Sequence, residues 1–75
     1  MTDATLFDLE VIIIEEGDQR KCAHYLAEHF ATVSRGDLLD VITKCERELP
    51  QMDFHEKLDV LRRELERVHP AFKNA

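Results

Sequence analysis

Tryptophan is absent, and glycine, proline, cysteine and methionine occur only twice each in 75 residues. So few turn formers leave little chain for the tight reversals of a β-sandwich or barrel. The longest apolar run, Val11-Ile12-Ile13-Ile14, is far short of the roughly 20 residues that span a bilayer. No basic residue occurs among positions 1–17, where Asp3, Asp8, Glu10, Glu15 and Glu16 lie. An acidic start of that kind is unlike a secretory leader. The two thiols, Cys22 and Cys45, can form at most one disulfide. Both fall on apolar helical stripes, which favours reduced, buried side chains and a cytoplasmic setting.

Catalytic and cofactor motifs are lacking too. No glycine-rich loop is present to cradle a phosphate, and Ser34 is explained as a helix cap. Cys22, His24, His29, Cys45, His55 and His69 are all metal-ligand types, but no C-x-x-C, H-x-x-x-H or H-E-x-x-H spacing groups them. On a helix His24 and His29 point about 140° apart, and Cys22 and His29 lie two turns, about 10 Å, apart. The histidines are therefore expected in solvent, with His29 at the edge of the core. No enzyme activity, cofactor, metal or small-molecule substrate is expected. Arg35-Gly36-Asp37 matches an adhesion tripeptide by chance at a helix start. The stretch from Gly36-Asp37-Leu38-Leu39 to Leu49 resembles the second helix of acyl carrier proteins. That family attaches its phosphopantetheine arm to a serine between Asp and Leu, and here Leu38 follows Asp37 directly.

What is present is helical periodicity over one domain, 1–75. The spacing predicts a first helix over 4–16, closed by Gly17 in a left-handed conformation. Leu6, Leu9, Ile12 and Ile13 form one stripe on it, and Phe7, Val11 and Ile14 a second, with Glu10 between them. A surface helix needs one apolar stripe, so the second implies either a sandwiched position or a partner. Two rivals remain open: a strand over 9–14, and one rod running through Gly17.

A second helix is expected over 18–33, capped by Asp18, with Cys22, Ala23, Leu26, Ala27, Phe30 and Val33 inward. A third starts at Ser34 or Asp37, carries Leu38, Ile42, Cys45 and Leu49, and stops at Pro50. The last opens on an Asp53/Glu56 capping box and aligns Phe54, Leu58, Leu61, Leu65 and Val68 in a narrow, coiled-coil-like seam. Asp59 and Arg63 are expected to pair along it. Residues 69–75 are expected to fray.

The resulting expectation is an all-α bundle of about four short helices, completed by dimerisation, since 75 residues supply a small core. Its function reads as non-enzymatic: a regulatory, inhibitory or accessory module that binds itself and a protein partner through a helix. Phe7, Val11, Ile14, Glu10 and Glu15 are the candidate interface. The net charge of −6 disfavours nucleic acid and anionic membrane. The alternative is a helical DNA-binding regulator, using Arg20-Lys21 or Arg62-Arg63. A recognition helix at 37–48 would carry more acid than base, the wrong sign for a phosphate backbone.

Overall fold

A computed structural model describes residues 3–49 and 51–73, with the side chain of Asp3 left out. Five helices follow one another: α1 (Asp3–Glu15), α2 (Gln19–His29), α3 (Arg35–Glu48), α4 (Met52–Val68) and α5 (Pro70–Lys73). No strand occurs among the described residues, so 9–14 are helical and the strand alternative falls.

Side-chain caps place most boundaries. The rod through Gly17 is not formed. Asp18 Oδ1 accepts the N–H groups of Arg20 (3.0 Å) and Lys21 (3.3 Å), satisfying orphan donors of α2. The Gln19 amide donates back to the Glu16 carbonyl at 2.7 Å, closing the junction from the other side. Gly17 does not adopt the predicted left-handed conformation; no described residue has a positive φ. The break therefore rests on capping, and the glycine's special freedom is unused. At α3 the choice falls on Ser34, whose Oγ accepts the Asp37 N–H at 3.1 Å. The expected capping box of α4 is not formed. Gln51 occupies the cap without a side-chain bond, which leaves Asp53 inside the first turn. Its carboxylate there still favours the positive end of the helix dipole. The expected stop at Pro50 lies outside the described residues; α3 ends at Glu48, with Leu49 as its C-cap.

Two further boundaries depart from expectation for a tertiary reason. α2 ends at His29, four residues early, and Val33 reaches the core from the following turn. His69 anchors that turn: its Nε2 lies 3.0 Å from the Phe30 carbonyl. The Ala71 N–H points at Nδ1 (3.1 Å), which leaves Nδ1 unprotonated and puts the proton on Nε2, the donor to Phe30. His69 is fully buried, and α5 tucks Phe72 inside beneath the Arg35 guanidinium, 5.6 Å from the ring centroid. The frayed tail expected from position 69 is thus replaced by a folded latch through Lys73; 74–75 lie outside the described residues. The buried histidine is His69, not His29, which is exposed beside Tyr25.

Helices α2 and α4 pack most extensively on one another, and α1 lies chiefly against α3. The seam of α4 is therefore spent inside the chain: Leu58, Leu61 and Leu65 are fully buried, with Phe54 and Val68 at its margins. The radius of gyration, 11.2 Å, matches the roughly 11 Å expected of a compact chain of this length. The buried apolar residues of all five helices form one cluster. The Asp59–Arg63 pair does not form. Asp59 meets Arg62 instead (3.3 Å), and Arg62 also reaches across to Glu46 on α3 (2.9 Å). That second contact takes the guanidinium which faces α3, and Arg63 is left outward.

Candidate protein-interaction surface

The candidate site is α1, because both its stripes are apolar and only one can face inward. Its inner side carries Leu9 and Ile13, each 0% exposed, with Leu6 and Ile12 half-buried against the same core. The outer stripe lies in solvent: Phe7 is 64% exposed and Ile14 40%. Val11 between them is half-buried and belongs to no part of the core. Placing that apolar area in water is unfavourable by roughly 25 cal/mol per Å². Single exposed apolar residues are ordinary on a protein surface. Three aligned on a helix already held by its other face are the kind of patch that marks an interface.

The charged flanks of the stripe differ. Glu15 and Asp8 are exposed on one side, with no ion-pair partner among the described residues. Glu10, on the other side, was expected in the interface but is sheltered (8% exposed) and bound to Lys44 Nζ at 2.7 Å. The hydrogen bond and the carboxylate charge both raise the Lys44 ammonium's pKa, holding it protonated. Glu10 therefore ties α1 to α3, and only Asp8 and Glu15 remain free to meet a partner. Beside this edge, Ile12, Glu15, Glu16, Cys22 and Tyr25 line a shallow hollow of about 260 Å³ between α1 and α2. Its size is at the lower limit for small-molecule sites and its walls are open.

The thiols are free and buried. Burial, then the Glu16 and Cys45 charges, pushes the Cys22 thiol up to about 12. Burial, then Glu10 and Glu48, pushes Cys45 up to about 11. Thiols held protonated in this way are poor nucleophiles and poor metal ligands at neutral pH. Among the described residues, no three of His, Cys, Asp and Glu cluster as a metal site, and no helix is long and apolar enough to cross a membrane.

One feature was missed by the sequence reading. Two neighbouring shallow hollows between α2 and α4 share Arg20 and Val60 in their walls; Lys57 lines one, and Arg63 and Arg67 the other, with Arg67 held by Glu64 (3.1 Å). Arg20, Lys57 and Arg63 have no carboxylate partner among the described residues. The pair Arg62-Arg63, adjacent in sequence, is split: Arg62 is committed to Glu46 and Asp59. Spacing within α4 alone groups Arg63 with Arg67, while Lys57 lies about 120° round the helix from Arg63, and Arg20 joins them only through packing of α2. Comparisons with protein-family models, with curated proteins and with solved structures each found no match.

Proposed function

We propose that this protein is a non-enzymatic interaction module, a small regulatory, inhibitory or accessory factor that docks the outer face of α1 against another protein. The observation that carries this reading is the outward Phe7–Val11–Ile14 stripe, exposed at Phe7 and Ile14 and half-buried at Val11, on a helix whose other face is used by the core. A helix held on one side is already ordered. A partner therefore gains apolar burial on the other side without the entropic cost of folding a segment. Of the grounds for the expected dimer, the α4 seam packs on α2 within the chain, whereas the outer stripe of α1 stays open to a second copy as well as to a foreign partner.

A photo-reactive phenylalanine analogue at position 14, compared with one at Glu48 on α3, tests the reading in cells expressing the protein. A discrete adduct from position 14 alone, lost when Phe7→Ser is added, is the expected result. Equal adducts from both positions, or none, would end the proposal.

A second reading, nucleic-acid binding, draws on the unpaired cations Arg20, Lys57 and Arg63 along the α2/α4 hollows. It predicts salt-dependent DNA affinity that falls when Lys57 and Arg63 are both changed to Gln. The net charge of −6 opposes it, because most of the surface repels phosphate. Absence of DNA binding at low salt would remove it.

A further inference from the structure

We infer that the partner surface is a basic amphipathic helix, which pairs with α1 in the manner of a short coiled coil; this rests on the docking role of α1 proposed above. Phe7, Val11 and Ile14 follow at intervals of four and three, the alternation of a heptad seam. Over seven residues the seam runs about 10 Å along the helix, or two turns. The residues that bound such a seam are those just after Phe7 and Ile14 and the one just before Val11. In this chain they are Asp8, Glu15 and Glu10, every one an acid. In paired helices these bounding positions choose the partner through their charges.

The flanks ask for different things. Asp8 and Glu15 are exposed and carry two uncompensated negative charges, spaced seven residues apart on one edge. The opposite edge is already neutral, because Lys44 holds Glu10 at 2.7 Å. A complementary helix therefore carries apolar residues at heptad spacing and Lys or Arg at seven-residue intervals along the edge facing Asp8 and Glu15.

A second copy of α1 does not meet that requirement. Paired antiparallel, two such helices set the Asp8–Glu15 edge against itself and align four unpaired carboxylates. Paired parallel, that edge faces Glu10 and Lys44 of the other copy, where the one cation is already taken. Like charges directly opposed weaken either arrangement and favour a foreign basic helix. The absence of any Lys or Arg among positions 1–17 means that no local base relieves it.

The test uses two three-heptad synthetic peptides, both with leucine along the seam, one with Lys and one with Glu at the bounding positions. Fluorescence anisotropy follows their binding to the intact protein at physiological salt. The Lys peptide should bind at least tenfold more tightly than the Glu peptide. Asp8→Lys with Glu15→Lys should reverse that order. Phe7→Ser with Ile14→Ser should remove binding of the Lys peptide while far-UV circular dichroism stays unchanged.

Equal affinity for both peptides overturns the inference. So does Lys-peptide binding that survives Phe7→Ser/Ile14→Ser, which would be diffuse charge attraction. A wild-type dimer by light scattering that the same double variant dissolves assigns the seat to a second copy, and overturns it too. If neither peptide binds while the position-14 adduct persists, the basic-helix inference fails and the protein-binding reading stands. Loss of both brings down both.

Discussion

Ile13 and Ile14 are adjacent, chemically identical and about 100° apart on α1, one facing the core and the other solvent, so truncating each in turn measures directly which face of the helix is core. Ile13 is 0% exposed, and Ile14 is 40% exposed. Changing Ile13 to Ala removes three buried carbons, about 2.4 kcal/mol at roughly 0.8 kcal/mol each, and leaves a cavity worth about another 1 kcal/mol. The loss of about 3 kcal/mol is a large part of the roughly 4–11 kcal/mol that a chain this size commands. Ile14→Ala loses at most about 1 kcal/mol of partial burial, leaves no cavity, and regains a few tenths through the better helix propensity of alanine. The expected gap is about 2 kcal/mol. At about 4–8 °C per kcal/mol for a domain of this length, the two melting temperatures should separate by about 10 °C. Urea titrations followed at 222 nm check it at 25 °C. Equal destabilisation by the two variants would refute the reasoning, because it would mean that the outer stripe is buried in solution. A larger loss for Ile14→Ala would mean that α1 is rotated on the core.

Three further outcomes follow from the fold. His69→Ala should cost about 2–4 kcal/mol, since it opens a cavity, leaves the Ala71 N–H without its acceptor and strips the Phe30 carbonyl of one of its two donors, the other being the Val33 N–H; amide exchange at Val33 and Ala71 should accelerate before the rest of the chain. Both thiols titrate higher in the fold than in the unfolded chain, so the unfolded state loses protons first. Their contribution is whole below about pH 9 and should be lost as pH climbs towards the folded values of about 11 and 12. Urea midpoints between pH 8 and 11 should fall for wild type and fall less for Cys22→Ala/Cys45→Ala, and Ellman's reagent should react only on unfolding. Among the caps, Asp18→Ala and Ser34→Ala should each cost about 1 kcal/mol, whereas Gln51→Ala, which removes no side-chain bond, should stay within about 0.5 kcal/mol by denaturant titration.

The helical character of most of the chain and two of its caps are local properties, and they were legible from residue order; residue order left open whether α1 and α2 join through Gly17. Asp18 and Ser34 bond to N–H groups two or three positions ahead, a reach that sequence spacing alone specifies. The single core-facing stripes of α2, α3 and α4 were legible for a similar reason: one apolar face leaves one choice. Helix α1 was different. Periodicity grouped Leu9 with Ile13 and Phe7 with Ile14, but both groups are apolar, and periodicity is silent on which of two apolar faces meets a neighbour. Only the packing of α1 on α3 decided it, and Glu10 passed from candidate interface to buried tie because Lys44 lies opposite on α3. Distance in sequence hid the rest. His69 ends the α2 turn from 39 positions away, and Arg62 leaves its neighbour Arg63 for Glu46, 16 positions away. Such contacts depend on where whole helices come to rest. The burial that sets those resting places is summed over all five helices at once.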